Sequence, residues 1–100
     1  MKDLKDLRRI AREMQANMER AQAELAEETV EGKAGGGAVV VVMTGTQEMR
    51  GVRIAPEAVD PTDVETLQDL VLAALKDAVE RSKDLAAQRI GGITGGLKLP

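Results

Sequence analysis

The 100-residue sequence predicts an α+β fold: a long N-terminal helix, a three-stranded antiparallel sheet and a long C-terminal helix. Three observations carry that prediction. Residues 3–27 contain neither Gly nor Pro. Three short β-rich runs follow, parted by glycine-containing turns. A second helix-forming stretch then opens at Asp60-Pro61.

The first helix is predicted over residues 3–27, where strong helix formers dominate. Leu4, Leu7, Ala11, Met14, Met18, Ala21 and Leu25 recur at alternating spacings of three and four, a heptad seam sustained over three repeats. At 1.5 Å per residue such a helix is roughly 35–38 Å long. That is long for a small domain, so it is expected to project or to lie along another helix. Its charge is polarised. Residues 1–12 hold Lys2, Lys5, Arg8, Arg9 and Arg12 against Asp3 and Asp6, a balance of +3. Residues 13–31 hold Arg20 against Glu13, Glu19, Glu24, Glu27, Glu28 and Glu31, a balance of −5.

Strands are predicted at Thr29–Lys33, Ala38–Thr44 and Met49–Ile54, separated by Gly35-Gly36-Gly37 and Gly45-Thr46-Gln47. Alternation in the second run puts Val39, Val41 and Met43 on one face, with Ala38, Val40, Val42 and Thr44 on the other. Both faces are apolar, so each needs a helix or a partner chain to cover it. Pro56 ends the third strand. Asp60 is expected to cap the second helix, with Pro61 at its first position and an apolar stripe through Val64, Leu67, Val71, Ala74, Leu75, Ala78, Leu85 and Ala86. Gly91-Gly92 is expected to stop that helix after about Ile90. The expected organisation is one domain over 1–90 and a flexible Gly-rich tail over 91–100.

Composition narrows the function classes. Apolar residues make up 43% and charged residues 31%, the balance of a globular chain. Aromatic residues are absent, so the core lacks large rings and oligomerisation is a natural way to complete it. The chain has no His and no Cys, which removes the usual neutral-pH base, the common zinc ligands and thiol chemistry. Ser82 is the sole serine and has no His to activate it. No catalytic residue, metal or cofactor is therefore expected. No apolar run approaches the length of a membrane span, and the charged start Met1-Lys2-Asp3 shows no signal region. A cytoplasmic location is expected.

The glycine cluster Gly32–Gly37 lacks the Gly-Lys-Ser/Thr ending and the following helix of a phosphate loop, so a hairpin turn explains it better. Glu24, Glu27, Glu28 and Glu31 match no calcium-loop spacing and read as a solvated helix end. The basic tip is either an ordinary solvated face or a phosphate-binding surface. Doubling in a dimer favours the second reading. Without aromatic side chains no base can be stacked on a ring, so such binding would be electrostatic and weakly sequence-selective. The rival reading is a protein–protein adaptor, whose seam or apolar sheet face captures a partner such as a DNA-repair or recombination protein.

The segment Val30-Glu31-Gly32-Lys33-Ala34-Gly35-Gly36-Gly37, then Val39, Val41, Gly45 and Val52-Arg53-Ile54-Ala55-Pro56, closely resembles the YbaB/EbfC family of bacterial nucleoid-associated proteins. The resemblance continues through Asp63, Val64, Leu67, Asp69-Leu70-Val71, Ala73-Ala74 and Asp77-Ala78 to Gly95-Gly96-Leu97-Lys98-Leu99-Pro100. It implies a tweezer-like homodimer located in the nucleoid, with no catalytic activity. It also implies binding of double-stranded DNA at relaxed sequence preference and roles in nucleoid organisation and gene regulation. Carried onto this chain, the helical arms place Lys2, Lys5, Arg8, Arg9 and Arg12 at the DNA, with Lys83 and Arg89 on the last helix as weaker contacts. Arg50 and Arg53 fall where the family commonly has basic strand residues. Where its members often have Lys and Thr, this chain has Val40 and Val42, which marks that face as the expected dimer interface.

Overall fold

The computed structural model describes residues 3–94. Its elements are α1 (Leu4–Glu27), β1 (Thr29–Ala34), β2 (Val39–Thr44), β3 (Met49–Ile54) and α2 (Val64–Thr94), with single 3₁₀ turns at Gly35–Gly37 and Pro56–Ala58. The strands form one antiparallel sheet in the order β1-β2-β3. Gly32 faces Val41 across β1–β2, and Val41 faces Val52 across β2–β3. A bulge interrupts the second ladder between Val42 and Met43. The β1–β2 connection needs Gly35, Gly36 and Gly37, all at positive φ, where a Cβ would be strained.

The predicted alternation in β2 holds. Val39, Val41 and Met43 turn towards α2 and form the buried core with Ala74 and Ala78. Val30, Ala34, Leu67, Leu70, Val71, Leu75 and Val79 pack around this centre. The helix lies unusually close to the sheet because small residues meet there. A Cβ added to Gly32 would come within 2.2 Å of Ala74 O and Ala78 N. Only glycine fits at that point of β1. Asp77, one turn along α2 from Ala74, accepts the Lys33 backbone N–H at 2.9 Å. Ser82 Oγ, also buried, donates to Thr44 O at 2.7 Å. α2 is thus tied to both β1 and β2 by polar contacts as well as by apolar burial.

α2 differs from expectation at both ends. Its cap is Asp63, which accepts from Thr66 N and Thr66 Oγ1 at 3.3 and 2.6 Å. Asp60 instead organises the preceding turn, accepting from Thr62 N and Thr62 Oγ1. Two Asx-type caps three residues apart compete in this sequence, and the one followed by the apolar period starts the helix. The expected stop at Gly91-Gly92 is also displaced, since α2 runs through both glycines to Thr94. Glycine costs a helix about 1 kcal/mol relative to alanine, and half-buried Ile90 and Ile93 continue the stripe across the pair. Of the expected tail, residues 95–100 lie outside the described residues.

α1 packs against the rest of the chain only at its base. Ala21 and Leu25 are buried, and Leu25 sits under the β2–β3 turn, where Gly45 N donates to Leu25 O and Glu28 O. A Cβ on Gly45 would press to 2.6 Å from Leu25 Cδ2. Beyond Met18 the helix runs clear of the sheet. The result is an extended molecule of 71 × 25 × 16 Å with a radius of gyration of 19.7 Å. A compact chain of this length has a radius near 13 Å, by the usual scaling for globular domains.

Candidate nucleic-acid interface

The free end of α1 is where the sequence places its cations. Asp3 caps the helix, accepting the Asp6 N–H at 3.2 Å, and orients the first turn. The Lys5, Arg8, Arg9 and Arg12 side chains are all exposed. Arg9 pairs with Glu13 at 3.1 Å, an exposed i,i+4 contact that leaves its charge in solvent. Among the described residues, Lys5, Arg8 and Arg12 make no ion pair. At 100° per residue these four cations cluster on one side of the helix, centred about 130° from the seam of Leu4, Leu7, Ala11 and Met14. Lys2 lies outside the described residues.

The two weaker candidates differ. Lys83 is exposed on α2, beside a shallow 390 Å³ cavity lined by Leu75, Lys76, Val79 and Glu80. Arg89 is a bridge: its guanidinium pairs with Glu24 at 3.3 Å and with Glu28. It joins the end of α2 to the base of α1, a clamp that sequence reading did not foresee. Glu28 Oε2 is buried beside it without a hydrogen-bond partner.

The outer face of the sheet carries Val40 and Val42 between charged neighbours. Val40 is only 7% exposed within the single chain, flanked by Lys33 and Arg53 in register. Glu31 accepts from Arg53 at 3.1 Å and pairs with Lys33 at 3.7 Å. The Arg53 hydrogen bond is the main reason the Glu31 carboxyl is held below its usual range. Arg50 donates to Ala26 O at 3.0 Å, so both strand arginines are engaged in contacts of the fold.

A larger apolar surface lies on the opposite face. α2 covers β1 and β2 but not β3, so Val52, Ile54 and Met49 remain exposed although they share the ladder of the core residues. Asp77 fixes one flank of α2 over β1. Leu72, Leu75 and Val79 lie on the other flank by helical spacing, towards β3. Leu72 is exposed as well. Sequence patterning missed this surface because Val52 and Ile54 alternate like ordinary core positions.

Residues 1–97 match the model of the YbaB/EbfC DNA-binding family. A nucleoid-associated protein of Roseiflexus sp. (strain RS-1) is 52% identical over 96 residues, covering 96% of this chain and 95% of the relative. One from Acetivibrio thermocellus is 50% identical, covering 95% and 84% respectively. The crystal structure of an uncharacterized Helicobacter pylori protein superposes with a TM-score of 0.75, covering 98% of this chain and all of that one. At 21% identity that likeness speaks for the fold. Among the described residues no helix is long and apolar enough to cross a membrane. With the family match spanning nearly the whole sequence, the chain belongs to the YbaB/EbfC DNA-binding family.

Proposed function

We propose that this chain is a homodimeric nucleoid-associated protein that grips double-stranded DNA through the free end of α1, without catalysis. The observation carrying this reading is the tip itself: three cations without ion pairs among the described residues, on a helix end that projects past the sheet and α2. Cations held clear of the fold can approach phosphates on either strand, and each neutralised phosphate releases condensed counterions. Contacts of this kind position a protein without reading bases, so sequence preference is low. Lys5, Arg8, Arg9 and Arg12 form the contact surface, with Lys2 continuing it and Lys83 adding charge from α2. Arg89 acts by holding the arm at its angle. Nucleoid location, DNA organisation and effects on transcription follow from this binding.

The homodimer is supported by apolar surface that one chain leaves uncovered. The flank formed by Met49, Val52, Ile54 and Leu72 is the larger exposed patch, and a second copy is the natural cover for a surface of this kind. The Val40–Val42 strip is the other candidate. Sedimentation of Val40→Lys beside Val52→Asp separates them, because the substitution that shifts the monomer–dimer equilibrium marks the interface.

The function is tested by anisotropy titrations against two unrelated duplexes at low and near-physiological salt. Comparable binding to both, weakening steeply with salt, is expected, as is its loss in the Lys5→Glu, Arg8→Glu, Arg9→Glu, Arg12→Glu variant with folding and dimerisation intact. Normal binding by that variant would remove the tip as the contact surface. Absence of binding by the folded wild-type dimer would leave the adaptor reading, with a DNA-repair or recombination protein as partner.

A further inference from the structure

Phosphate contact uses only one side of the α1 tip and leaves its apolar seam unemployed. Leu4 and Leu7 are 61% and 47% exposed. Further along the same seam, Ala21 and Leu25 are buried in the chain's own base. The heptad pattern therefore continues past the point where the fold has any partner to offer it among the described residues. A solvated arm needs no such stripe. Its regular a/d spacing is that of a helix built to meet another helix.

The flanks of the stripe differ in charge, and this identifies the second helix. With Leu4, Ala11 and Met18 at a positions and Leu7 and Met14 at d, Arg8 falls at e and Asp3 at the preceding g. In a parallel pair, g of one helix meets the following e of its neighbour, so Asp3 of each copy faces Arg8 of the other. An antiparallel pair sets e against e and brings Arg8 towards Arg8. Arg8 makes no ion pair among the described residues, and Asp3 spends only Oδ1 on its cap. The stripe is thus complementary to itself in the parallel sense. Lys5, Arg9 and Arg12, about 150° around the helix, stay outside such a pair and remain open to phosphate.

We infer that the seam Leu4–Leu7–Ala11–Met14 pairs in parallel with the same seam of another copy, joining DNA-bound copies side by side and making their binding cooperative. Two heptads form a weak contact alone. Neighbouring copies on one duplex raise their effective concentration into the range where a weak contact is populated. The cooperativity rests on the DNA-binding reading; the pairing geometry does not.

The chain contains no cysteine, so single introduced thiols report the contact directly. Leu7→Cys is expected to give a disulfide-linked pair on mild oxidation, more efficiently on a long duplex than on one short enough for a single dimer. A mixture of Leu4→Cys and Met14→Cys is expected to form like-with-like links, and preferential Leu4–Met14 cross-links would overturn the parallel arrangement. Leu7→Asp is expected to keep the wild-type affinity for the short duplex and to lose at least half of the excess Hill coefficient on the long one. Unlinked Leu7→Cys at millimolar protein, or unchanged cooperativity in Leu7→Asp, overturns the inference. If no duplex is bound, the DNA reading fails, while cross-linking at high protein concentration still decides whether the seams pair.

Discussion

The two halves of α1 carry one seam and lead opposite lives. At the base, Ala21 and Leu25 are buried, Gly45 closes on Leu25, and Arg89 reaches from α2 to Glu24 and Glu28. At the tip, Leu4 and Leu7 stand in solvent among exposed cations. The base is acidic and the tip basic, so charge polarises the helix in the same sense as packing. Periodicity alone says that a helix has an apolar face. What that face does depends on whether the rest of the chain reaches it.

The sharpest way to break the contrast is to make the same change in both halves. Leu25→Ala opens a cavity at a side chain 1% exposed and is expected to cost about 2–5 kcal/mol. Leu7→Ala should stay within about 0.5 kcal/mol of wild type. Thermal melts of the two variants check this, and equal losses would mean the tip is packed in solution. Gly32→Ala tests the anchoring of α2, since its methyl group meets helix backbone rather than a yielding side chain. The expected loss is about 1–3 kcal/mol, or roughly 5–20 °C in Tm for a chain of this size.

Arg89→Ala leaves Glu28, with one oxygen already buried and unpartnered, without its counter-ion. A loss of about 1–2 kcal/mol is expected, with a broadened distance distribution between spin labels at Ala11 and Glu80. An unchanged distribution would mean that the clamp does not fix the arm. The smallest effect is that of pH. Hydrogen bonds from Lys33 N–H and then Arg81 lower the Asp77 carboxyl from about 3.8, and Thr66 does the same for Asp63. Folded-state values below the unfolded ones mean that this stability is complete above about pH 4 and fades as pH falls through the folded values. Melting wild type and Asp77→Asn between pH 6 and pH 3 should show a shallower acid loss in the variant.

Much of the base and of the sheet was legible in the sequence. The α1 seam, the three runs and the two faces of β2 follow from periods of 3.5 and 2, which local spacing reveals. The cap of α2 was misplaced because Asp60 and Asp63 offer the same local chemistry. Gly32 was read as part of a turn. Its place between Val30 and Ala34 on the inward face, matched by Ala74 and Ala78, is a small-residue signal that marks a close helix approach. The exposure of Lys5, Arg8 and Arg12 could be foreseen because charge at a projecting end needs no tertiary partner. The role of Arg89 could not, since Glu24 and Glu28 lie more than sixty residues away in sequence. The bare flank of β3 was hidden for a similar reason: alternation tells which residues share a face, not how far a helix extends across it.

The Arg89 clamp also sets a mechanical ratio. From Met18 to Leu4 the unsupported part of α1 is about 21 Å long at 1.5 Å per residue. A tilt of roughly 10° about its base therefore swings the tip through about 4 Å, close to the 3.4 Å rise of one base pair. Small adjustments where one arginine meets two carboxylates are thus magnified at the free end of the arm.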